Sequence, residues 1–261
     1  MMIPSAFMIL HIPHSSKRIP PGIQESILLS NEELESELLR MTDAFVDELF
    51  TCGETEAIRA VFPYSRLVVD VERFLDDAKE PMAAKGMGAV YLKTSTGKQL
   101  RKQLSGAEHH FLIEEYYIPH HNELVSLVEK ALKDHGYCII LDCHSFSSIP
   151  LPHEPDQTLN RPDICIGTDS FHTPDWLSGS VMDIFLKQGF RAELNRPFSG
   201  TIVPGAYYRK TPAVMSLMIE INRSHYMDEQ TGQKLTSFND IRFCMREILL
   251  NRLMELMDDG R

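Results

Sequence analysis

Positive charge is scarce in this sequence. Its 261 residues hold 26 Lys and Arg against 37 Asp and Glu, a formal net charge of −11. The clustered cations that grip nucleic-acid phosphates are therefore missing, and no nucleic-acid partner is expected. No stretch approaches the roughly 20 apolar residues of a membrane span, so no membrane partner is expected either. The five cysteines, Cys52, Cys138, Cys143, Cys165 and Cys244, form no Cys-x-x-Cys pair and sit among apolar residues. They read as free thiols of a reducing, cytoplasmic compartment. The opening MMIPSAFMILHIPHSS has no basic flank before its short apolar run, so it reads as a first strand rather than a signal peptide. Ser145 has no Gly-x-Ser-x-Gly around it, and a serine nucleophile is unsupported.

What is present is an ordinary globular composition, 43% hydrophobic and 24% charged. The length allows a substantial core without disulfide or metal staples. With no internal repeat, low-complexity tract or long linker, residues 1–261 are expected to form a single domain. Strand-like runs alternate with helix-like ones, which predicts an α/β fold. The strand candidates are AFMILHIP, RLVVDVER, YCIILDCHS, DICIGT and VMSLMIEIN. Several are apolar at every position for four or five residues, as strands covered on both faces are. SNEELESELLRM opens on a capping box, Ser30 with Glu33, and carries the stripe Leu34, Leu38 and Met41. A long helical stretch from GKQLRKQL to ALKDHG is expected to be interrupted at Pro119 and closed by Gly136. DWLSGSVMDIFLKQGF and the terminal FNDIRFCMREILLNRLMELM complete the helices. Two Pro- and Gly-rich segments, IPLPHEPDQTLNRPD and LNRPFSGTIVPGAYYRKTP, are long enough to wall one cleft.

In open α/β sheets ligands bind beyond the C-terminal strand ends. Those ends read His11-Ile-Pro-His14, Asp70-Val-Glu72-Arg73, Asp142-Cys-His144 and Glu220-Ile-Asn222-Arg223. Imidazoles, carboxylates and guanidiniums at neighbouring tips are the ingredients of a metal-assisted hydrolase. His14 and His144 are the natural histidine ligands of a zinc ion. Asp142 lies on the same side of its strand as His144 and can orient an imidazole. The third ligand stays open, because the residue three after His14 is Lys17 rather than Glu. Asp43 is the candidate, yet in a helix unbroken from Glu32 to Phe50 it would face solvent, opposite the apolar stripe. Glu220, within SLMIEIN, is costly to bury unless it works as a general base or pairs with Arg223 or Arg73. Arg73 suits a carboxylate or a developing oxyanion. Arg161, Asn195, Arg196 and Arg209, in the two long segments, are further carboxylate binders. His109, His110, His120 and His121 belong to a polar helical region and are expected on solvated faces.

The pieces IPHSS, MTDAFVDELF, VVDVERF, IILDCHSF, PDICIGT, NRPFSGTIVPGAYYRK and LMIEINRSHYMDE occur in an order that resembles the N-formylglutamate amidohydrolases, from residue 10 to about 230. That resemblance implies a zinc carboxypeptidase-like (phosphorylase/hydrolase-like) fold, a mixed central sheet flanked by helices. It implies one zinc per chain on His14, His144 and Asp43, with Glu220 as general base and Arg73 on the substrate. The implied reaction is hydrolysis of N-formyl-L-glutamate, a small-molecule substrate, to formate and glutamate, a step of histidine degradation. Two positions depart from the family's pattern. Glu72 stands where Asn is usual, beside the expected carboxylate binder, and Ser16 stands where Gly follows His-Ser. Activity on peptides or larger acyl groups would mark a carboxypeptidase or another deacylase. Ligand binding without turnover would mark a non-catalytic homologue.

Overall fold

Four of the five apolar runs, AFMILHIP, YCIILDCHS, DICIGT and VMSLMIEIN, assemble into one sheet. The computed structural model describes residues 7–50 and 58–246, with 252, 253 and 255. Its strands are β1 (Met8–Ile12), β2 (Ile58–Val61), β3 (Cys138–Phe146), β4 (Ile164–Gly167), β5 (Ala192–Leu194) and β6 (Val214–Asn222). They lie in the order β2-β1-β3-β6-β4-β5. β1, β2, β3 and β6 run parallel, while β4 is antiparallel to β6 and carries β5 parallel to itself. The sheet is therefore mixed, as expected. All nine residues of β3 are buried, which explains why alternation is invisible in its sequence: both faces are covered.

Helices supply the cover. They are α1 (Pro21–Gln24), α2 (Asn31–Met41), α3 (Val46–Leu49), α4 (Gly106–Leu112), α5 (Ile118–His135), α6 (Asp175–Lys187) and α7 (Phe238–Phe243). One face packs Leu10, Ile139, Leu141, Leu217 and Ile219 against α3, α6 and α7. The other packs Ile9, Ile140 and Val214 against Leu124, Val128 and Ala131 of α5. The capping box is formed: Glu33 N donates to Ser30 Oγ (3.3 Å), and Ser30 N donates to the Glu33 carboxylate (3.0 Å). Ser30→Ala should cost about 1 kcal/mol, a fall in melting temperature of about 2–4 °C. An unchanged melting temperature would show that the cap contributes nothing.

Three expectations are corrected. RLVVDVER is not a strand: Leu67, Val68 and Val69 are fully buried, but the chain there turns, with Val68 N on Ser65 O and Asp70 N on Ala89 O. Burial without a ladder gives the same apolar run. The long helix does not begin near residue 97. Residues 97–105 run through turns and extended chain, and Ser105 caps α4 in a second capping box with Glu108. Nor does Pro119 interrupt it. A π-turn, Ile113–Tyr117, joins α4 to α5 and gives the proline ring room against the preceding turn. Gly136 closes α5 at φ 82°, a left-handed position that costs glycine little. Most of the expected terminal helix beyond α7, and Cys52, lie outside the described residues; Cys138, Cys143, Cys165 and Cys244 are buried thiols outside any disulfide.

Candidate active site

Register brings the polar strand tips together. On the α5 face, His11 of β1 pairs with Asp142 of β3, and one step towards the C-terminal end His144 of β3 pairs with Glu220 of β6. His14 follows β1 directly. One donor atom from each of His14, Asp43 and His144 lies within 4.8 Å of the other two, and all three residues are buried.

Asp43 joins because its helix stops. Thr42 is extended (ψ 134°), Asp43 N donates to His14 O (2.9 Å), and Phe45 adopts a left-handed φ of 67° before α3 restarts the helix at Val46. That break takes Asp43 out of the solvent-facing phase of α2. Its Oδ2 lies 3.0 Å from His144 Nδ1 and 3.8 Å from His14 Nδ1.

Each of the three has a partner behind it. Asp70 Oδ1 accepts from His14 Nε2 (2.8 Å), Asp142 Oδ1 accepts from His144 Nε2 (3.0 Å), and Arg223 donates to Asp43 Oδ1 (2.8 Å). Carboxylates behind ligand imidazoles are the arrangement that fixes ring orientation and basicity in metal sites. Among the buried atoms left without hydrogen-bond partners are His14 Nδ1 and Glu220 Oε2. An orphaned imidazole nitrogen facing a carboxylate and a second imidazole fits a divalent ion that accepts N and O donors. Without an ion, a proton does part of that work. Burial disfavours charge on His144, but Asp142, Glu72 and Asp43 raise it well above the usual range. Binding a metal through Nδ1 displaces that proton. Asp43 is held low: its burial is outweighed by the neighbouring His14 and His144 and by the Arg223 charge. Glu220 goes the other way, to about 8, by burial and the nearby Asp43, with His144 and Arg223 opposing.

The turn after Asp70 carries the remaining groups. Asp70 accepts from Arg66 (2.7 Å), from Tyr91 and from Glu72 N (3.1 Å). Glu72 lies 3.3 Å from both His11 Nδ1 and His144 Nε2. Arg73 pairs with Asp70 through Nε at 3.4 Å and with Glu80 through Nη1 at 3.6 Å, and its buried Nε makes no hydrogen bond. The turn is fastened from the π-turn and α5. Tyr117 donates to Arg73 O (2.9 Å), His121 Nε2 donates to Val71 O (2.8 Å), and the two rings stack at 4.2 Å. His120 is buried and takes a hydrogen bond from His11. The expectation of solvated faces therefore holds for His109 and His110 but is corrected for His120 and His121.

A cavity of about 520 Å³ brings His14, Asp43, His144, Glu220 and Arg73 to one surface, with Arg40, Arg66 and His153. The other loop candidates lie elsewhere. Arg161 is 3% exposed, bonded to Glu154 and to Ser147 O (2.8 Å), and ties down the segment 147–161. Asn195 bonds both ways to Thr168 at 2.9 and 2.8 Å, and Arg196 pairs with Glu193 at 2.6 Å. Arg209 donates its backbone N–H to His172 and spreads over the Tyr208 ring. None of these four is among the residues lining the cavity. Arg66, Tyr117 and His121 had no functional role in the sequence reading, and Asp70 stood only among the carboxylates of the strand tips. The one signal was an acid at the end of an apolar run, which could equally close a strand.

Residues 6–227 match the family model for N-formylglutamate amidohydrolase. An N-formylglutamate deformylase of Pseudomonas aeruginosa is 24% identical over 97% of this chain and 94% of its own length. One of Pseudomonas putida is 26% identical over 85% and 82%. Among solved structures, the N-formylglutamate amidohydrolase from Ralstonia eutropha JMP134 superposes with a TM-score of 0.85 at 21% identity, over 99% of this chain and 96% of that one. At that identity the likeness establishes the fold, a mixed sheet flanked by helices.

Proposed function

Because this chain belongs to the N-formylglutamate amidohydrolase family, we propose that it hydrolyses N-formyl-L-glutamate to formate and L-glutamate, with zinc held by His14, Asp43 and His144. The relatives named N-formylglutamate deformylase support the reaction. The observation that carries the site is the pair of imidazole Nδ1 atoms turned on the Asp43 carboxylate, each ring held from behind by an aspartate.

When bound there, zinc supplies Lewis acidity, polarising the formyl carbonyl and lowering the pKa of a water. The chain's own groups do the rest. Glu220, buried with one oxygen free, takes a proton from the attacking water and delivers it to the departing amide nitrogen. The C–N bond breaks, formate leaves with the water oxygen, and the amine of glutamate is released. Arg73 holds a substrate carboxylate through its unspent donors. The Glu72 charge is offset by His11 and His144, each 3.3 Å from one of its oxygens. Ser16 donates to Pro63 O (2.9 Å) and accepts from Arg18 N (3.1 Å), so the serine stabilises the turn where the family usually has glycine.

The test is formate release from N-formyl-L-glutamate by purified protein, with zinc content measured on the same sample. Turnover with about one zinc per chain supports the reading. Zinc without turnover on this substrate discards it in favour of another acyl amino acid. Arg73→Ala should raise KM about 10–100-fold with a smaller change in kcat. A charge-assisted hydrogen bond made equally to substrate and transition state is worth about 1.5–3 kcal/mol. Michaelis curves at unchanged KM would remove Arg73 from the substrate.

A further inference from the structure

His11 has no place among the three metal donors, yet it is 1% exposed and polar. Its Nδ1 donates to Asp142 Oδ1 (2.8 Å) and lies at ion-pair distance, 3.3 Å, from Glu72 Oε1, an oxygen that makes no hydrogen bond. His144 Nε2 lies 3.0 Å from the same Asp142 oxygen and 3.3 Å from Glu72 Oε2. Two imidazole N–H groups and two carboxylates thus alternate in a closed ring. On its far side His11 donates from Nε2 to His120 Nε2 (2.9 Å), whose ring packs edge-on against Phe62.

Two carboxylates on one imidazole N–H repel each other, and in a buried site one must move away or take a proton unless a cation lies between them. His11 is in that position. Burial alone would lower its pKa, but the Asp142 bond and the nearby Glu72 charge raise it to about 9. His120 is held down to about 2 by burial and by the His11 charge, so the pair carries one positive charge, on His11. This also accounts for Glu72 at the position where the family usually has Asn: a charged residue there needs a buried partner, and β1 supplies it.

Taking His14, Asp43 and His144 as the metal donors, we propose that His11 is a positioning residue that bridges Asp142 and Glu72, keeps both on His144 Nε2 and so fixes the ring whose Nδ1 meets the metal. Glu72 thereby becomes a second carboxylate behind His144, usable only while His11 is present.

The test is a double-mutant cycle on the full chain, with zinc affinity read by competition with a chromogenic chelator and folding read by melting of the metal-free protein. His11→Asn should weaken zinc about 10–100-fold, the range found for partners of ligand residues. Adding Glu72→Gln should recover at least about tenfold of that loss, because one carboxylate then remains and nothing repels it. A double variant no better than His11→Asn overturns the proposal, since His11 would then only fill space. If His11→Asn does not fold, the double variant should fold and bind zinc within about tenfold of Glu72→Gln alone; failure to fold overturns it too. Two zinc ions per wild-type chain, the second lost with His11→Asn, would make this ring a set of ligands and also overturn it. Wild-type protein that binds no zinc refutes the donor site and this inference together, whereas zinc binding that ignores His11→Asn refutes the inference alone.

Discussion

Glu220→Gln is expected to retain zinc and lose about 10²–10⁴-fold in kcat, the range for a positioned general base. The amide keeps the side chain's shape and burial within β6, so the sheet and the three donors on neighbouring tips stay as they are. What disappears is the basicity of the carboxylate, whose Oε2 has no hydrogen-bond partner. The carboxyl is kept near neutrality, at about 8, by burial and the nearby Asp43, a value suited to taking and giving a proton at working pH. A second reading needs no substrate. A carboxyl raised from 4.5 in the unfolded chain to about 8 when folded binds more protons in the native state between those values. Its contribution to stability is complete below about 4.5 and is lost as pH rises through about 8. The metal-free Gln variant should therefore gain stability relative to wild type between pH 5 and pH 8, read as a diverging melting temperature. Full activity in the variant would end the general-base assignment, and parallel pH profiles would end the account of its burial.

Asp43→Ala should abolish both metal and turnover. Apparent binding energies of roughly 10–16 kcal/mol at four-ligand structural zinc sites imply about 3 kcal/mol or more per ligand, hence on the order of 10²–10³-fold or more in affinity. The loss extends further. Arg223 is 5% exposed, and its Nη2 bond to Asp43 would be gone. A buried guanidinium without its carboxylate costs about 3–5 kcal/mol. Metal-free Asp43→Ala should therefore melt well below metal-free wild type, and Asp43→Asn, which keeps an acceptor for Arg223, should recover part of that fall. Metal analysis and melting curves on both variants decide it. Bound zinc at wild-type affinity in Asp43→Ala would show that Asp43 is no ligand.

Much of this architecture could be read from residues. β1, β3, β4 and β6 were visible because strands buried on both faces must be apolar throughout, and Asp142 and His144 stood out against that background. Asp43 was harder to read. Its helical phase pointed to solvent, and only the break at Thr42 with the left-handed Phe45 reversed that direction; nothing in MTDAFVDELF announces a left-handed phenylalanine. RLVVDVER misled for the opposite reason, since a buried turn and a buried strand need the same side chains. The loop residues Arg161, Asn195 and Arg209 were chosen for their chemical type, whereas their contacts depend on how two long segments fold back. His120 and His121 show the same limit, because polarity in a helix predicts water only when nothing polar lies across from it.

The π-turn at Ile113–Tyr117 has a consequence for how this gene can vary in length. A helix normally cannot gain or lose one residue without rotating everything beyond the change by about 100°. Here α5 is pinned to the sheet by Leu124, Val128 and Ala131, with His120 and His121 one turn earlier. Deleting a single residue from the widened turn would restore a regular helix and leave α4 and α5 close to their present phase. The rod would shorten while the histidines kept their positions. Single-residue deletions at 113–116 should therefore be tolerated where the same deletion within 122–131 is not.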